Sequence, residues 1–123
     1  MTIMEAIHYT DKLVPNGYGQ TEKLRWLSEL DGMIRKEIID AHEGGDEKDF
    51  AGYGEQTDPS QELLAPFPFD MMYIYWLESR MNYASGEYGK YNNSVSHFNV
   101  AYETYEKCYR RDHKPKGAAS AHF

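Results

Sequence analysis

The sequence predicts an all-α fold with four main helices. In four segments the apolar residues recur three and four positions apart, as they do along one face of an amphipathic helix. Helix start and stop signals flank these segments. A chain of 123 residues is long enough to bury a core without a disulfide framework, and Cys108 is its single cysteine. We therefore expect one helical domain, residues 1–115, and a flexible C-terminal tail, 116–123.

The first helix is predicted to begin at a Thr-x-x-Glu capping box formed by Thr2 and Glu5. Ile3, Ile7 and Val14 would share its buried face. The turn signal Pro15-Asn16-Gly17 then ends it.

The second helix is predicted to start near Thr21 and to end at Gly44-Gly45, a pair typical of a helix C-terminus. Its apolar positions follow the helical period and define the expected buried face. These residues are Leu24, Leu27, Leu30, Ile34, Ile38 and Ala41.

Residues 45–69 are rich in glycine, proline and carboxylates, so we expect a long irregular segment. A short strand around 61–65 is the one regular element that we predict in it. The third helix follows, with Asp70 as its N-cap and Phe69 packed on Ile74 as a hydrophobic staple. Its expected buried face is Tyr73, Trp76, Leu77, Met81 and Ala84.

Ser85-Gly86 breaks the pattern, and so short a break predicts an antiparallel hairpin with the fourth helix. That helix carries a stripe built mainly of tyrosine, which runs to about Arg111. The stripe comprises Tyr88, Tyr91, Val95, Phe98, Tyr102, Tyr105 and Tyr109. One interpretation is that the rings pack on the second and third helices, with the hydroxyls reaching water or backbone. The other is a contact surface between subunits, where tyrosine is enriched; both can hold.

The formal net charge of −7 argues against a surface that grips nucleic acid phosphates. Between residues 37 and 62 there are nine carboxylates and only Lys48 as a base, whereas residues 107–116 carry five basic residues and only Asp112 as an acid. These two segments could meet between copies of the chain. Alternatively, the acidic segment is a solvated loop and the bases stabilise a helix C-terminus.

The N-terminal residues have no basic region followed by an apolar run, and no window approaches eighteen consecutive apolar residues. We therefore expect a cytoplasmic-type soluble protein with no membrane partner.

The sequence contains few patterns that indicate a metal site or a catalytic site. Asp46, Glu47 and Asp49 near His42 could hold a divalent cation, but their spacing is not that of an EF-hand, and we expect no metal and no other cofactor. Arg35 and His42 resemble the Arg-x6-His pair of small helical toxin-type RNases, although Lys36 replaces the polar residue expected after the arginine. We expect both side chains to lie on the surface of the helix and Cys108 to be a packing residue, so no catalytic residue is predicted.

Most of the chain, from the first helix to His113-Lys114-Pro115, resembles a family of small prophage proteins similar to head–tail connector (adaptor) proteins. In the first half, the motifs that carry the resemblance are Trp26-Leu27-Ser28, Leu30-Asp31-Gly32, Glu37-Ile38-Ile39 and His42-Glu43-Gly44. In the second half they are Pro68-Phe69-Asp70, Tyr73, Trp76-Leu77-Glu78, Tyr83, Gly86-Glu87, Lys90-Tyr91-Asn92-Asn93-Ser94 and Phe98-Asn99.

The resemblance implies a structural subunit that forms a homo-oligomeric ring beneath a phage portal, at the head–tail junction of the virion. Its partners would be further copies, the portal and tail-completion proteins, while DNA passes through the lumen without sequence-specific binding. The candidate interface residues are Tyr88, Tyr91, Tyr102, Tyr105, Tyr109, Arg110, Arg111, Glu55 and Asp58. A toxin-type RNase and a stand-alone helical interaction module are the alternatives.

Overall fold

The computed structural model describes residues 1–45 and 49–116 and confirms the all-α class. The helices are α1 (Ile3–Leu13), α2 (Gln20–Ile34), which continues as a π-helical turn (Arg35–Ile39), α3 (Met71–Ala84) and α4 (Tyr88–Asp112). The strand predicted around 61–65 is wrong: in the described part of the chain, β-structure is limited to two isolated bridges, Thr2 with Glu62 and His42 with Pro115.

The capping box at the start of α1 is confirmed. The Glu5 amide donates to Thr2 Oγ1 over 3.1 Å, and the Thr2 amide donates to Glu5 Oε1 over 2.8 Å. Ile3 and Ile7 are buried as predicted, whereas Val14 is half-buried because it lies one residue past the helix end.

The α2 face is confirmed from Leu24 to Ile38, but Ala41 is exposed and that prediction is wrong. The regular helix ends earlier than Gly44 because a π-helical turn intervenes. There the Asp40 amide bonds to the carbonyl of Arg35, five residues back, over 2.8 Å. In this turn two consecutive residues, Ile38 and Ile39, are buried, and the helix ends before Ala41.

Helix α3 is buried on nearly every side, since α1, α2 and α4 all pack against it. Its buried residues are Met72, Tyr73, Ile74, Leu77, Ser79, Met81 and Asn82. Two of the five predicted positions are wrong. Trp76 is only half-buried, and Ala84 is exposed because it lies at the last helical residue before the turn.

Asp70 occupies the N-cap position of α3, but its side chain does not cap the helix. Its backbone is helical, and Oδ2 accepts a hydrogen bond from the ammonium group of Met1 over 3.1 Å. Phe69, the predicted staple, places its ring 5.4 Å from that of Tyr105 on α4.

Helices α3 and α4 form the predicted antiparallel hairpin. Three ring contacts show that the helices run in opposite directions, because the residue number falls in one partner as it rises in the other. These contacts are Tyr83 with Tyr91, Trp76 with Phe98, and Phe69 with Tyr105. Gly86 closes the turn with φ +76°, a conformation that L side chains rarely adopt. Helix α2 also runs antiparallel to α3, because Tyr18 bonds to Ser85 near one end and the Trp76 indole donates to the Trp26 carbonyl further along.

Candidate functional site

The tyrosine stripe of α4 packs largely within the chain. Phe98 and Tyr105 are buried, and Tyr102 Oη donates to Glu37 Oε1 over 2.6 Å, which ties α4 to the π-helical turn. Tyr105 is only 4% exposed, so little of this candidate interface residue is available to a neighbouring subunit. Tyr102 and Tyr109 are half-buried. The packing interpretation is confirmed for the middle of the stripe.

At the start of the stripe Tyr88 is exposed and Tyr91 is half-buried. We call Tyr83, Tyr88 and Tyr91 the hairpin-end patch; Tyr83 lies 5.8 Å from Tyr88 and 5.2 Å from Tyr91 between ring centroids. Tyr83 is 57% exposed and Tyr88 60%. The guanidinium of Arg80 lies 4.5 Å from the Trp76 ring and 5.6 Å from the Tyr91 ring, so a cation extends the patch along α3.

The buried phenols of α4 remain neutral at physiological pH. Burial raises the pKa of Tyr105 to about 12, with Tyr109 and Asp31 adding to the shift. Burial and the hydrogen bond to Glu37 also raise the pKa of Tyr102. These hydroxyls therefore bring no negative charge to the core, and that of Tyr102 donates its hydrogen bond to Glu37.

The basic end lies at the C-terminus of α4, where Arg110 and Arg111 are exposed. Neither arginine forms an ion pair within residues 1–45 and 49–116. The chain then turns back along the end of α2. The Glu43 amide donates to the Lys114 carbonyl over 2.7 Å, and the Lys116 amide donates to the Ala41 carbonyl over 2.9 Å.

This pairing, which the sequence did not predict, joins the start of the acidic segment to the basic end inside one chain. It also makes Lys116 part of the packed domain. The rest of the predicted tail, 117–123, lies outside the described residues.

The acidic candidates lie on the surface. Glu55 and Asp58 are exposed, and Asp58 Oδ1 accepts hydrogen bonds from the amide and hydroxyl of Ser60, which hold the pKa of Asp58 below its usual value. Asp46 and Glu47, considered above for a cation, lie outside the described residues. The part of the chain that the structure describes contains no group of three His, Cys, Asp or Glu side chains that could hold a metal.

Sequence reasoning missed a buried polar cluster around Asp31. Tyr53 Oη and the Leu64 amide (3.1 Å) donate to Asp31 Oδ2, while Tyr73 Oη donates to Oδ1 over 2.6 Å. Tyr73 Oη in turn accepts from the Ala65 amide over 2.7 Å. This cluster fastens the irregular segment to α2 and α3.

A signal for the cluster was present in the sequence. Asp31 lies four residues after Leu27 and three before Ile34, within the apolar stripe of α2. A carboxylate in such a stripe needs buried partners. Burial raises the pKa of Asp31, although the two tyrosine hydroxyls, the Leu64 amide and the charge of Arg35 oppose the shift.

The Arg35 and His42 side chains were predicted to lie on the surface, and the structure contradicts this for both. His42 is buried, its Nδ1 lies 2.6 Å from the Ile38 carbonyl, and its ring packs edge-on against Tyr109 at 5.4 Å. Arg35 is largely buried, with Nη1 3.8 Å from Asp40 Oδ1. Both side chains therefore take part in packing where α2 ends. Cys108 is half-buried beside Asp112, with its Sγ 4.0 Å from Oδ2.

Comparisons of the chain with protein-family models, curated proteins and solved structures found no match. None of the helices in the described residues is long and apolar enough to cross a membrane.

Proposed function

We propose that the chain is a structural subunit of the phage head–tail connector type, which assembles side by side with copies of itself into a ring below a portal. The proposal rests on the sequence resemblance given above and on the surface that the fold leaves open. Its partners would be other copies, the portal and tail-completion proteins, with the ring at the head–tail junction of the virion.

The observation that carries the proposal is the hairpin-end patch. Aromatic residues and arginine are enriched in protein–protein interfaces. Tyr83 and Tyr88 are more than half exposed although they lie beside a well-packed core. Phe67, 83% exposed near the opposite end of α3, adds a second apolar group for contacts with neighbours.

The charges support an assembly whose contact repeats in one direction. Exposed Arg110 and Arg111 at the end of α4 would face carboxylates of the next subunit, for which the sequence suggested Glu55 and Asp58. Because donor and acceptor surfaces differ, the contact is heterologous and closes only by rotation into a ring. The net charge of −7 would let DNA pass through the lumen without being held.

Sedimentation of the purified protein, alone and with portal rings of the same phage, tests the proposal. We expect association to strengthen as salt is lowered, because exposed charge pairs are screened beyond about 8 Å at physiological ionic strength. On the portal we expect a ring with a fixed number of subunits.

A protein that stays monomeric on the portal, or virions that lack it, would remove the connector assignment. Monomers that bind a different partner would favour the interaction-module alternative. RNA cleavage that is lost in a folded His42→Ala variant would favour the RNase.

A further inference from the structure

A groove of about 540 Å³ lies between the end of α1 and the α3–α4 hairpin. Helix α1 and the turn after it form one wall, and α3 and the first half of α4 form the other two. The residues that line it are Leu13, Val14, Pro15, Tyr75, Glu78, Asn82, Lys90, Asn93, Ser94 and His97. None of them is among the candidate interface residues considered above.

Glu78 is the half-buried acid of this groove. Within the described residues its carboxylate makes no hydrogen bond or ion pair, and burial raises its pKa, with the charge of His97 opposing the shift. A carboxylate that is partly desolvated and has no hydrogen bond or ion pair is stabilised by a cation brought into the groove.

The walls suit a long cationic side chain. Leu13 and Pro15 offer apolar contact for an aliphatic stem, while Tyr75 and His97, whose rings stack at 5.4 Å, add aromatic surface against which a guanidinium can lie. Arg80 already makes the same kind of contact with Trp76 on the neighbouring side of α3. Arginine fits better than lysine because its planar group can stack and pair with a carboxylate together.

We propose that this groove binds Arg110 or Arg111 of a second copy of the chain. The assignment rests on the proposed function, since it names the contact by which subunits of the ring recognise each other. Both arginines are exposed and form no ion pair within the described residues.

The contact must form between two copies of the chain, because the groove and the arginines lie far apart along the same helix. Ser94 in the groove and Arg110 both belong to α4, sixteen residues apart by their numbers, which is about 24 Å at 1.5 Å per residue. An arginine side chain is far too short to span that distance. Each subunit therefore offers arginines at one end of α4 and a groove beside the other, which is a heterologous contact.

Glu78 is a better partner than the acidic candidates predicted from the sequence. Glu55 and Asp58 are exposed, and exposed pairs contribute little. Lys90 and His97 also line the groove, and the charge of His97 already acts on Glu78.

Mixing two complementary variants tests the proposal. Arg110→Gln/Arg111→Gln keeps the groove intact and lacks the arginines. Glu78→Gln keeps the arginines and lacks the carboxylate of the groove. Each variant alone should associate at least about tenfold more weakly than the wild type, as expected when one partner of a partly desolvated charge pair is removed. The equimolar mixture should form 1:1 dimers, because only one productive contact remains.

Nuclear magnetic resonance locates the contact even if association is weak. With the arginine-free variant isotope-labelled and Glu78→Gln unlabelled, we expect amide shifts in residues 75–82 and 90–97. An unlabelled Glu78→Gln/Arg110→Gln/Arg111→Gln protein should produce none. Glu55→Gln, a matched exposed change, should associate like the wild type.

Glu78→Gln protein that associates as strongly as the wild type, or an absence of groove shifts at millimolar concentration, overturns the groove assignment. Rings on the portal under those same conditions would leave the proposed function standing. If neither rings on the portal nor amide shifts in the groove are observed, both the groove assignment and the proposed function are contradicted.

Discussion

Helices α3 and α4 form one hairpin, yet they relate to solvent in opposite ways. Helix α3 has 14 residues and buries seven of them, on nearly every side. Helix α4 has 25 residues and buries only Ser94, Phe98 and Tyr105. The core therefore depends on α3, whereas most of the α4 surface is free to meet partners. A change in α3 should affect folding, and a change on the outer face of α4 should affect assembly.

The largest expected effect comes from the centre of α3. Leu77→Ala removes a fully buried side chain and should lower the free energy of unfolding by about 2–5 kcal/mol, through lost burial and the cavity left behind. Val100→Ala on α4 is the matched control, because Val100 is 66% exposed and surface changes usually stay within about 0.5 kcal/mol. Urea denaturation of both variants measures the difference. Equal losses would show that the two helices do not divide their roles in this way.

The Asp31 cluster should give the next largest effect, because it joins α3 to α2 and to the irregular segment. Asp31→Asn leaves at least one buried donor without its acceptor and should cost about 1–3 kcal/mol. Thermal or urea unfolding of the wild type and the variant measures it. An unchanged stability would mean that the cluster does not fasten the segment.

The pH dependence of that difference follows from the direction of the Asp31 shift. Since burial raises the folded-state pKa of Asp31, the folded state binds the proton more tightly than the unfolded chain does. The advantage of the wild type over Asp31→Asn should be largest below about pH 4, the ordinary range of aspartate, and should decline as pH rises through the raised value. Unfolding measured across this range checks the sign, and an advantage that grows with pH contradicts it.

Trp76 should give a smaller effect than a fully buried residue. The sequence placed Trp76 on the buried face of α3, but the side chain is only half-buried and also contacts Arg80 and Phe98. Trp76→Phe keeps a ring in place and removes the indole hydrogen bond to the Trp26 carbonyl, which is 2.7 Å long. We expect a loss of about 1 kcal/mol. A loss as large as that of Leu77→Ala would place Trp76 among the central core residues.

The smallest effect on stability is expected at the hairpin-end patch. Tyr88→Ala removes a ring that is 60% exposed and should change the free energy of unfolding by less than about 0.5 kcal/mol. The same change should weaken self-association measured by sedimentation, since the ring is free for a partner. Destabilisation without any effect on association would make Tyr88 a packing residue.

The helices and their order could be predicted from the sequence because apolar periodicity and capping signals are local. The Thr2 box, the α2 face from Leu24 to Ile38 and the turn at Ser85-Gly86 are all of this kind. Periodicity could not predict that α3 is buried on nearly every side, because a stripe shows only one face. Met72 was missed for that reason, and Ile74 was named only as the partner of Phe69.

Features that depend on distant parts of the chain were the hardest to predict. The Asp31 cluster needs Tyr53, Leu64 and Tyr73, and the pairing of residues 41–43 with 114–116 depends on the path of the chain after α4. The Asp70 carboxylate bonds to the Met1 ammonium group, which lies next to it only after folding. Glu78 was named only within a motif of the resemblance, because nothing in the sequence around it shows that it lies in a groove.

The most direct test of the division between the two helices is one variant measured in two ways. Arg110→Glu/Arg111→Glu should stay folded and lose no more than about 2 kcal/mol, because both side chains are exposed and the change acts only on their favourable placement at the C-terminus of α4. It should remain at the mass of one 14.3 kDa chain under low-salt conditions in which the wild type associates. Lys12→Glu/Lys36→Glu, which changes the charge equally at two exposed lysines elsewhere, should associate like the wild type. A reversed-arginine protein that assembles normally, or one that unfolds, would contradict the account.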